Sequence, residues 1–298
     1  MDKPKLSFND LCTRLNDKNI SFNHHSKEEV ITYLKDRSYY YKISSYRKNF
    51  PKTPEGKYED LDFLDLTVCA SLDVRLRELL LLMCLDVEHS LKTKFMEVLT
   101  EDENEDGYSI IEKFEDDYPD KFKMIIEEFR SNKYKRDMFQ KRTTLSVWVF
   151  LEIISYGVFT TLSELYIKNS ALKHDPLFTS QHQLIKNIRN SCAHNNVFLI
   201  NLFESKDHVF RPDAKTKSYA NLMKINLKLV HFPKIIDIIN LFYLHKKLCS
   251  DELNNRRLEE CEIIIQKFQE NSSTFDKSEL RIKKFFNSIF IKCVDFLK

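Results

Sequence analysis

Glycine and proline are scarce in this sequence, and their scarcity disfavours folds built from hairpins. Only 3 Gly and 7 Pro occur among the 298 residues. Tight β-hairpin turns need residues that accept a positive φ or that fix φ, and these are chiefly Gly and Pro. The hydrophobic fraction of 42% and the charged fraction of 31% are typical of a folded globular chain. We therefore expect an all-α protein.

The sequence also lacks the patterns that mark secreted, zinc-binding and membrane proteins. Its seven cysteines are far apart, contain no C-x-x-C pair and mostly lie among apolar residues, as buried free thiols do. No apolar run is as long as a membrane span, and the N-terminus lacks the apolar stretch of a signal peptide. These absences predict a cytoplasmic protein with reduced thiols, no metal site, no cofactor and no membrane partner.

Common catalytic motifs are missing as well. The chain contains no G-x-x-x-x-G-K-[ST], no G-x-G-x-x-G, no H-E-x-x-H and no G-x-S-x-G, so nucleotide hydrolysis, dinucleotide chemistry and hydrolase-elbow mechanisms lose support. The adjacent His24 and His25 precede a helix cap and do not have the spacing of metal ligands. Most other histidines are scattered, which is typical of structural or exposed side chains.

The charge of the chain is nearly balanced. A formal net charge of +2 does not indicate nucleic-acid binding by itself, so any RNA-binding surface must be a local patch. Residues 120–142 carry a local excess of Lys and Arg, and we predict one helix there. Alternatively, this local excess of Lys and Arg is an ordinary solvated helix face. The predicted phosphate contacts of this basic patch are Lys133, Lys135, Arg136, Lys141 and Arg142.

Helical patterns run along most of the chain. Capping boxes predict the starts of two short helices at Ser7 and Ser26. Apolar residues recur at helical spacing over residues 61–99, which predicts one long helix or a broken pair. The tyrosine-dense residues 38–46 have strand propensity and precede a Pro- and Gly-containing stretch, so we interpret them as a linker into the main body. Further helices are predicted at about residues 145–166, 180–198 and, beginning at Pro233, in the C-terminal region.

One short segment carries the residue types of a catalytic site. Asn190 and His194 are four residues apart and share a helix face, while the long side chain of Arg189 can reach the same space. A histidine that titrates near neutral pH can move a proton at a ribose 2′-hydroxyl or a leaving 5′-oxygen, and an arginine can neutralise phosphate oxygens. The three residues suit cleavage of RNA without a metal. The alternative is an ordinary helix with a paired arginine and a capping histidine.

This segment, residues 189–194, resembles the R-N-x-x-A-H form of the HEPN ribonuclease motif. The surrounding residues 3–203 resemble the Abi-like (abortive infection) family. The resemblance is carried in chain order by residues 3–8, 39–46, 72–81 with 87–88, 130–131 and 148–157.

The resemblance implies a HEPN-like helical bundle with N-terminal and C-terminal helical extensions. We divide the chain accordingly into an N-terminal helical region (1–58), a HEPN-like core (59–203) and a C-terminal extension (204–298). It also implies a metal-independent endoribonuclease that acts as a toxin in phage defence. The implied catalytic residues are Arg189, Asn190 and His194. An alternative is a HEPN protein that binds RNA or a partner without cutting it, and a third is a helical adaptor.

The resemblance further implies partners and supporting residues. RNA is the expected substrate, a structured inhibitory or guide-like RNA or an antitoxin is a possible regulator, and a homodimer is the expected active species. Many family members follow the motif with a second histidine and an arginine, whereas Asn195, Asn196 and Val197 follow it here. Four further charged residues match family positions, and we interpret them as a buried salt-bridge network rather than as catalysts. These are Asp73, Arg77, Glu88 and Glu152.

Overall fold

The computed structural model describes residues 4–142, 144–169, 181–204, 211–278 and 281–298, and in these ranges the chain is almost entirely helical. The prediction of an all-α fold is confirmed. The chain forms two compact units, one of residues Met1–Met83 with Asn187–Lys298 and the other of residues Cys84–Lys186. This division by compactness differs from the three regions drawn from the sequence, which stay a prediction.

The first unit begins with short helices whose starts are set by serine caps. The side chains of Ser7 and Ser26 each accept the backbone N–H three residues on, and the Asp10 and Glu29 carboxylates bond back, as both capping boxes predict. Two parallel strands of two residues each, β1 (Ile20–Ser21) and β2 (Leu61–Asp62), also pair in this unit. The elements are α1 (Phe8–Asn16), β1 (Ile20–Ser21), α2 (Lys27–Asp36), α3 (Tyr40–Ile43), a 3-10 helix (Ser44–Asn49) and β2 (Leu61–Asp62).

Residues 40–46 are helical, and Tyr39, the residue before the helix, is extended, so strand propensity does not decide the local structure of this segment. Tyr46 and Ile43 are fully buried within the unit, and burial on one face of a helical segment outweighs an intrinsic preference of a fraction of a kcal/mol per residue. The helix α4 (Phe63–Glu101) follows as one unbroken element of 39 residues. The sequence predicts either one long helix or a broken pair here, and the long helix is the one that forms.

The second unit continues from α4 through five shorter helices, and two sequence predictions are wrong there. The predicted helix at residues 120–142 is two helices, because the Asn132 side chain accepts the Tyr134 N–H and closes a turn. The predicted helix at 145–166 also breaks, because Ile154 is extended. Buried aromatic rings fill the core of this unit. The helices are α5 (Ser109–Asp117), α6 (Pro119–Ser131), α7 (Arg136–Lys141), α8 (Val147–Ile153) and α9 (Tyr156–Asn169).

The first unit is completed by the C-terminal third of the chain. As predicted, Pro233 is the first residue of a helix, where its missing N–H is not needed. The last helices bury an apolar stripe that includes Phe285, Phe286 and Phe290. None of the described helices is both long and apolar enough to cross a bilayer. The elements are α10 (Gln181–Ala193), α11 (Ala214–Leu222), a 3-10 helix (Leu227–Leu229), α12 (Pro233–Leu248), α13 (Asp251–Glu270), α14 (Ser272–Asp276), α15 (Arg281–Phe285), a π-helical turn (Phe286–Phe290) and α16 (Ile291–Leu297).

Candidate functional site

The candidate motif lies in the last turns of α10, whose C-terminal end is closed by a left-handed residue. Asn195 has a φ of 57°, and the N–H of Asn196 donates to the carbonyl of Ser191 at 2.9 Å. This is the pattern of a Schellman cap, in which Asn is one of the few residues besides Gly that accept a positive φ. Asn195 therefore has a structural role: it ends the helix directly after His194.

The three motif residues differ in exposure. His194 is exposed, whereas Arg189 and Asn190 are partly buried. Arg189 Nη1 lies 3.4 Å from Asn190 Oδ1, so the structure brings these two side chains together. Arg189 Nε is buried and has no hydrogen-bond partner among the described residues. An arginine with an unused donor can still bind an anion, and an exposed imidazole can exchange protons with a ligand.

His194 lines an open cavity of about 650 Å³, which we call the tyrosine cavity. Three consecutive tyrosines form one wall, and Tyr39 and Tyr41 are 64% and 81% exposed. Arg189 is not among the described residues that line this cavity. The remaining polar walls carry an excess of positive charge. They include Arg14, Lys42, Arg47, Lys48, Asn195 and Asn196.

Sequence reasoning missed the contribution of this tyrosine-rich wall. The sequence predicts a linker at residues 38–46 because a Pro- and Gly-containing stretch follows them, although they also match a family segment. The available signal is the run of Tyr39, Tyr40, Tyr41 and Lys42, in which aromatic rings and a cation adjoin. Aromatic rings beside cations are typical of surfaces that bind single-stranded nucleic acid.

Behind the motif, a buried carboxylate holds the segment that follows α10. Asp73 is fully buried, and its Oδ1 accepts the N–H groups of Phe198 and Leu199 at 2.8 and 2.6 Å. Its Oδ2 accepts the Tyr46 hydroxyl at 2.9 Å and Arg77 Nε at 2.7 Å. Burial raises the pKa of Tyr46, and the neighbouring charge of Asp73 raises it further. Four donors therefore satisfy a carboxylate that burial alone would destabilise.

Four side chains fix the backbone before and after this segment. Lys234 Nζ donates to the carbonyls of Phe198 and Ile200, both at 2.7 Å. Burial lowers the pKa of Lys234 to about 8. Asn49 Nδ2 donates to the Leu199 carbonyl at 2.7 Å. Arg77 Nη1 also donates to Asn195 Oδ1, and Lys42 Nζ donates to the Asn195 carbonyl at 2.9 Å. Side-chain hydrogen bonds thus hold the chain after His194 at residue 195 and at residues 198–200.

A family model described as Abi-like protein matches residues 32–201, which is more than half of the chain. The chain belongs to the Abi-like family. The match includes the tyrosine-rich segment, α4 and all of α10. Membership associates the protein with abortive infection, a form of phage defence. Neither a comparison with curated proteins nor one with solved structures found a match.

The four charged residues that the Abi-like resemblance singled out differ in their surroundings. Asp73 and Arg77 form a buried ion pair with side chains 0% and 6% exposed. Glu88 pairs with Lys92 at 3.1 Å and is partly exposed. Glu152 is exposed. The interpretation as one buried network is therefore correct for the first two residues and wrong for Glu152, because its side chain faces solvent.

The environment of the cysteine inside the motif of this Abi-like protein disfavours its nucleophilic form. Cys192 is buried, and burial raises the pKa of its thiol to about 12. The thiolate, which is the reactive form, is therefore scarce at neutral pH. The cysteines are free thiols, six of them buried and Cys249 partly buried, as the sequence predicts.

The basic patch of this Abi-like protein lies in the second unit, on α7 and the turn before it. Lys133, Arg136, Lys141 and Arg142 are exposed, and Lys135 is partly buried. Some of these charges already have partners. Lys141 pairs with Asp137 at 2.9 Å, and Lys135 Nζ donates to the carbonyl of Glu152.

Proposed function

We propose that this Abi-like protein is a metal-independent endoribonuclease of the HEPN type, with His194, Arg189 and Asn190 at its active site. The observation that supports this most directly is the placement of His194. Its imidazole is exposed on the wall of a cavity that also carries cations and exposed tyrosines. A proton-transferring group thus faces a surface with the chemistry of a nucleic-acid site.

The residues can carry out transesterification. His194 would accept the proton of a ribose 2′-hydroxyl or donate one to the leaving 5′-oxygen, and water would take the other role, so that the proton lost at the 2′-oxygen is balanced by the one gained at the 5′-oxygen. Arg189 would bind the non-bridging oxygens as negative charge develops, and its Nε has no hydrogen-bond partner among the described residues. The 2′-oxygen forms a bond to phosphorus while the bond to the 5′-oxygen breaks. The products are a 2′,3′-cyclic phosphate and a 5′-hydroxyl.

The walls of the tyrosine cavity suit single-stranded RNA. Bases that leave a helix stack on aromatic side chains, each such contact being worth about 1–3 kcal/mol. Tyr39 and Tyr41 are exposed enough to serve in this way. Lys42, Arg47 and Lys48 supply cations for the backbone. Regulation by a structured inhibitory or guide-like RNA, or by an antitoxin, stays a prediction.

A second candidate function is RNA or partner binding without cleavage. It is favoured by one observation: His194 lines the tyrosine cavity, whereas Arg189 is not among its described lining residues. Incubation of purified protein with RNA in EDTA separates the two functions. Cleavage by the wild type with no divalent metal supports the endoribonuclease, while binding without cleavage supports the alternative.

The basic patch is expected to contribute phosphate contacts rather than chemistry. In the triple variant Lys133→Gln, Arg136→Gln, Arg142→Gln, RNA affinity should fall, and its dependence on salt should become shallower by about one counterion for each phosphate that is no longer neutralised. Fluorescence anisotropy at several salt concentrations measures both quantities. Lys113→Gln is the control, because Lys113 is exposed on α5 and pairs with Asp117. An unchanged slope in the triple variant would make the patch an ordinary solvated helix face.

The active species is expected to be a homodimer. One chain offers one Arg–His motif, and a twofold axis would place α10 against its own copy, so that two motifs line one groove. Exposed residues Lys186, Asn187, Ala193 and His194 leave part of α10 open to a partner. Light scattering with and without RNA should give twice the chain mass. A protein that stays monomeric and cleaves at a rate strictly first order in protein would contradict the dimer.

A further inference from the structure

A second cavity of the first unit, about 1060 Å³ in volume, lies beside the motif and has an excess of basic side chains. We call it the arginine cavity. It shares Tyr39, Lys42 and Asn195 with the tyrosine cavity. Two acidic residues, Asp36 and Glu78, also line it, and both are exposed. Its basic lining residues are Lys35, Arg37, Lys42, Arg75, Arg77 and Lys267.

Arg77 is the most buried cation of this cavity and is incompletely paired. Its side chain is 6% exposed. Nε donates to Asp73 and Nη1 donates to Asn195, whereas Nη2 is buried without a hydrogen-bond partner among the described residues. A buried donor left unpaired is destabilising, because it loses its hydrogen bonds to water without gaining others. A bound ion is one of the reasons for which native structures retain such a group.

The cations around Arg77 carry more positive charge than the nearby described carboxylates neutralise. Burial lowers the pKa of Lys42, and the charge of Arg77 lowers it further. Asp73, the nearest buried carboxylate, is already shared among two backbone N–H groups, Tyr46 and Arg77. Arg37 and Arg75 add exposed charge at the cavity wall. An anion that entered the cavity would therefore meet cations that lack a full set of counter-charges.

We propose that the arginine cavity binds a phosphate group carried by a nucleotide. A phosphate matches the planar donor groups of Arg77, Arg37 and Arg75. The cavity is larger than a phosphate requires and falls near the usual size of small-molecule sites, about 300–1,000 Å³. Tyr39, which is 64% exposed and lines the cavity, offers a ring on which a base can stack.

The site is coupled to the motif through one residue. Arg77 holds the side chain of Asn195 and Lys42 holds its carbonyl, and Asn195 directly follows His194. A phosphate that bound Arg77 or Lys42 would compete with the hydrogen bond of that residue to Asn195. These hydrogen bonds hold the residue that ends α10. The phosphate has two possible sources, namely an RNA strand that passes from the tyrosine cavity and a free nucleotide.

Binding is tested by titrating the full chain with pyrophosphate in a calorimeter at low salt. The wild type should bind, and the exposed pair Arg37→Gln, Arg75→Gln should weaken binding at least tenfold. Arg77→Gln should abolish it, with circular dichroism to check that this buried substitution still folds. The control Arg130→Gln, Arg256→Gln removes two exposed arginines outside the cavity and should bind as the wild type does. No binding by the wild type, or equal weakening in the control, would overturn the site.

Two further titrations identify the source. Displacement of pyrophosphate by an RNA whose 2′-hydroxyls are methylated, and which therefore cannot be cleaved, assigns the phosphate to the RNA strand. Tighter binding of ADP than of pyrophosphate, together with simultaneous binding of that RNA, assigns it to a free nucleotide. If pyrophosphate binds but neither ADP nor the RNA competes with it, the assignment of the phosphate to a nucleotide is overturned. None of these titrations requires cleavage, so the failure of this site is distinguishable from the failure of the proposed ribonuclease.

Discussion

Replacement of His194 by alanine is expected to lower the rate of RNA cleavage at least about a hundredfold, because loss of a general acid or base typically costs that much. The effect should be confined to chemistry. His194 is exposed, so the substitution removes little packing and should leave the melting temperature and RNA affinity nearly unchanged. The rate is measured with a fluorescent RNA in EDTA, under single-turnover conditions that separate cleavage from binding.

The control for this loss is His24→Ala, because His24 is also an exposed histidine of the first unit and lies outside the described lining of both cavities. This variant should cleave as the wild type does. Arg189→Ala should lose a comparable amount of activity. In a bacterial host, expression of the wild type and of His24→Ala should slow growth, whereas His194→Ala and Arg189→Ala should not. Equal toxicity of all four proteins at matched soluble levels would contradict the assignment of His194 and Arg189 as catalytic residues.

The elements that sequence predicts well in this protein are those decided by local contacts. The capping boxes at Ser7 and Ser26 and the helix start at Pro233 depend on residues a few positions apart, and all three form as predicted. A prediction is wrong where helical periodicity is given more weight than a local turn signal. The Asn132 turn interrupts the helix predicted at residues 120–142, because one side-chain hydrogen bond offers the backbone an alternative to the helix.

The surroundings of the motif could be predicted only in part. Spacing alone places Asn190 and His194 on one helix, and the resemblance names the residues. The buried pair of Asp73 and Arg77 is favoured as an interpretation, but its other partners are distant in sequence. Tyr46 is 27 residues from Asp73, and Phe198 is 125 residues away. No local pattern encodes such contacts, because they exist only once the helices pack.

The buried carboxylate leads to the second large expected effect. Asp73→Asn should destabilise the protein by about 3–5 kcal/mol, the usual cost of leaving one member of a buried ion pair uncompensated. An asparagine has one acceptor oxygen, whereas Asp73 uses both of its oxygens for four donors. The amide NH₂ would then face donors. Arg77 would remain buried with its charge unpaired. Against a typical total stability of about 5–15 kcal/mol, such a loss is readily measured by urea denaturation.

The matched control is Asp137→Asn, since Asp137 also pairs with a cation four residues away but is 81% exposed. Exposed pairs contribute little to stability, so the urea midpoint should hardly move. The double variant Asp73→Asn, Arg77→Met should recover part of the loss, because it removes the unpaired charge and leaves one oxygen for the N–H groups of Phe198 and Leu199. Equal midpoints for Asp73→Asn and Asp137→Asn would show that Asp73 does not hold the chain that follows His194. Recovery of stability in the double variant would show that the unpaired charge of Arg77 causes the part of the loss that is recovered.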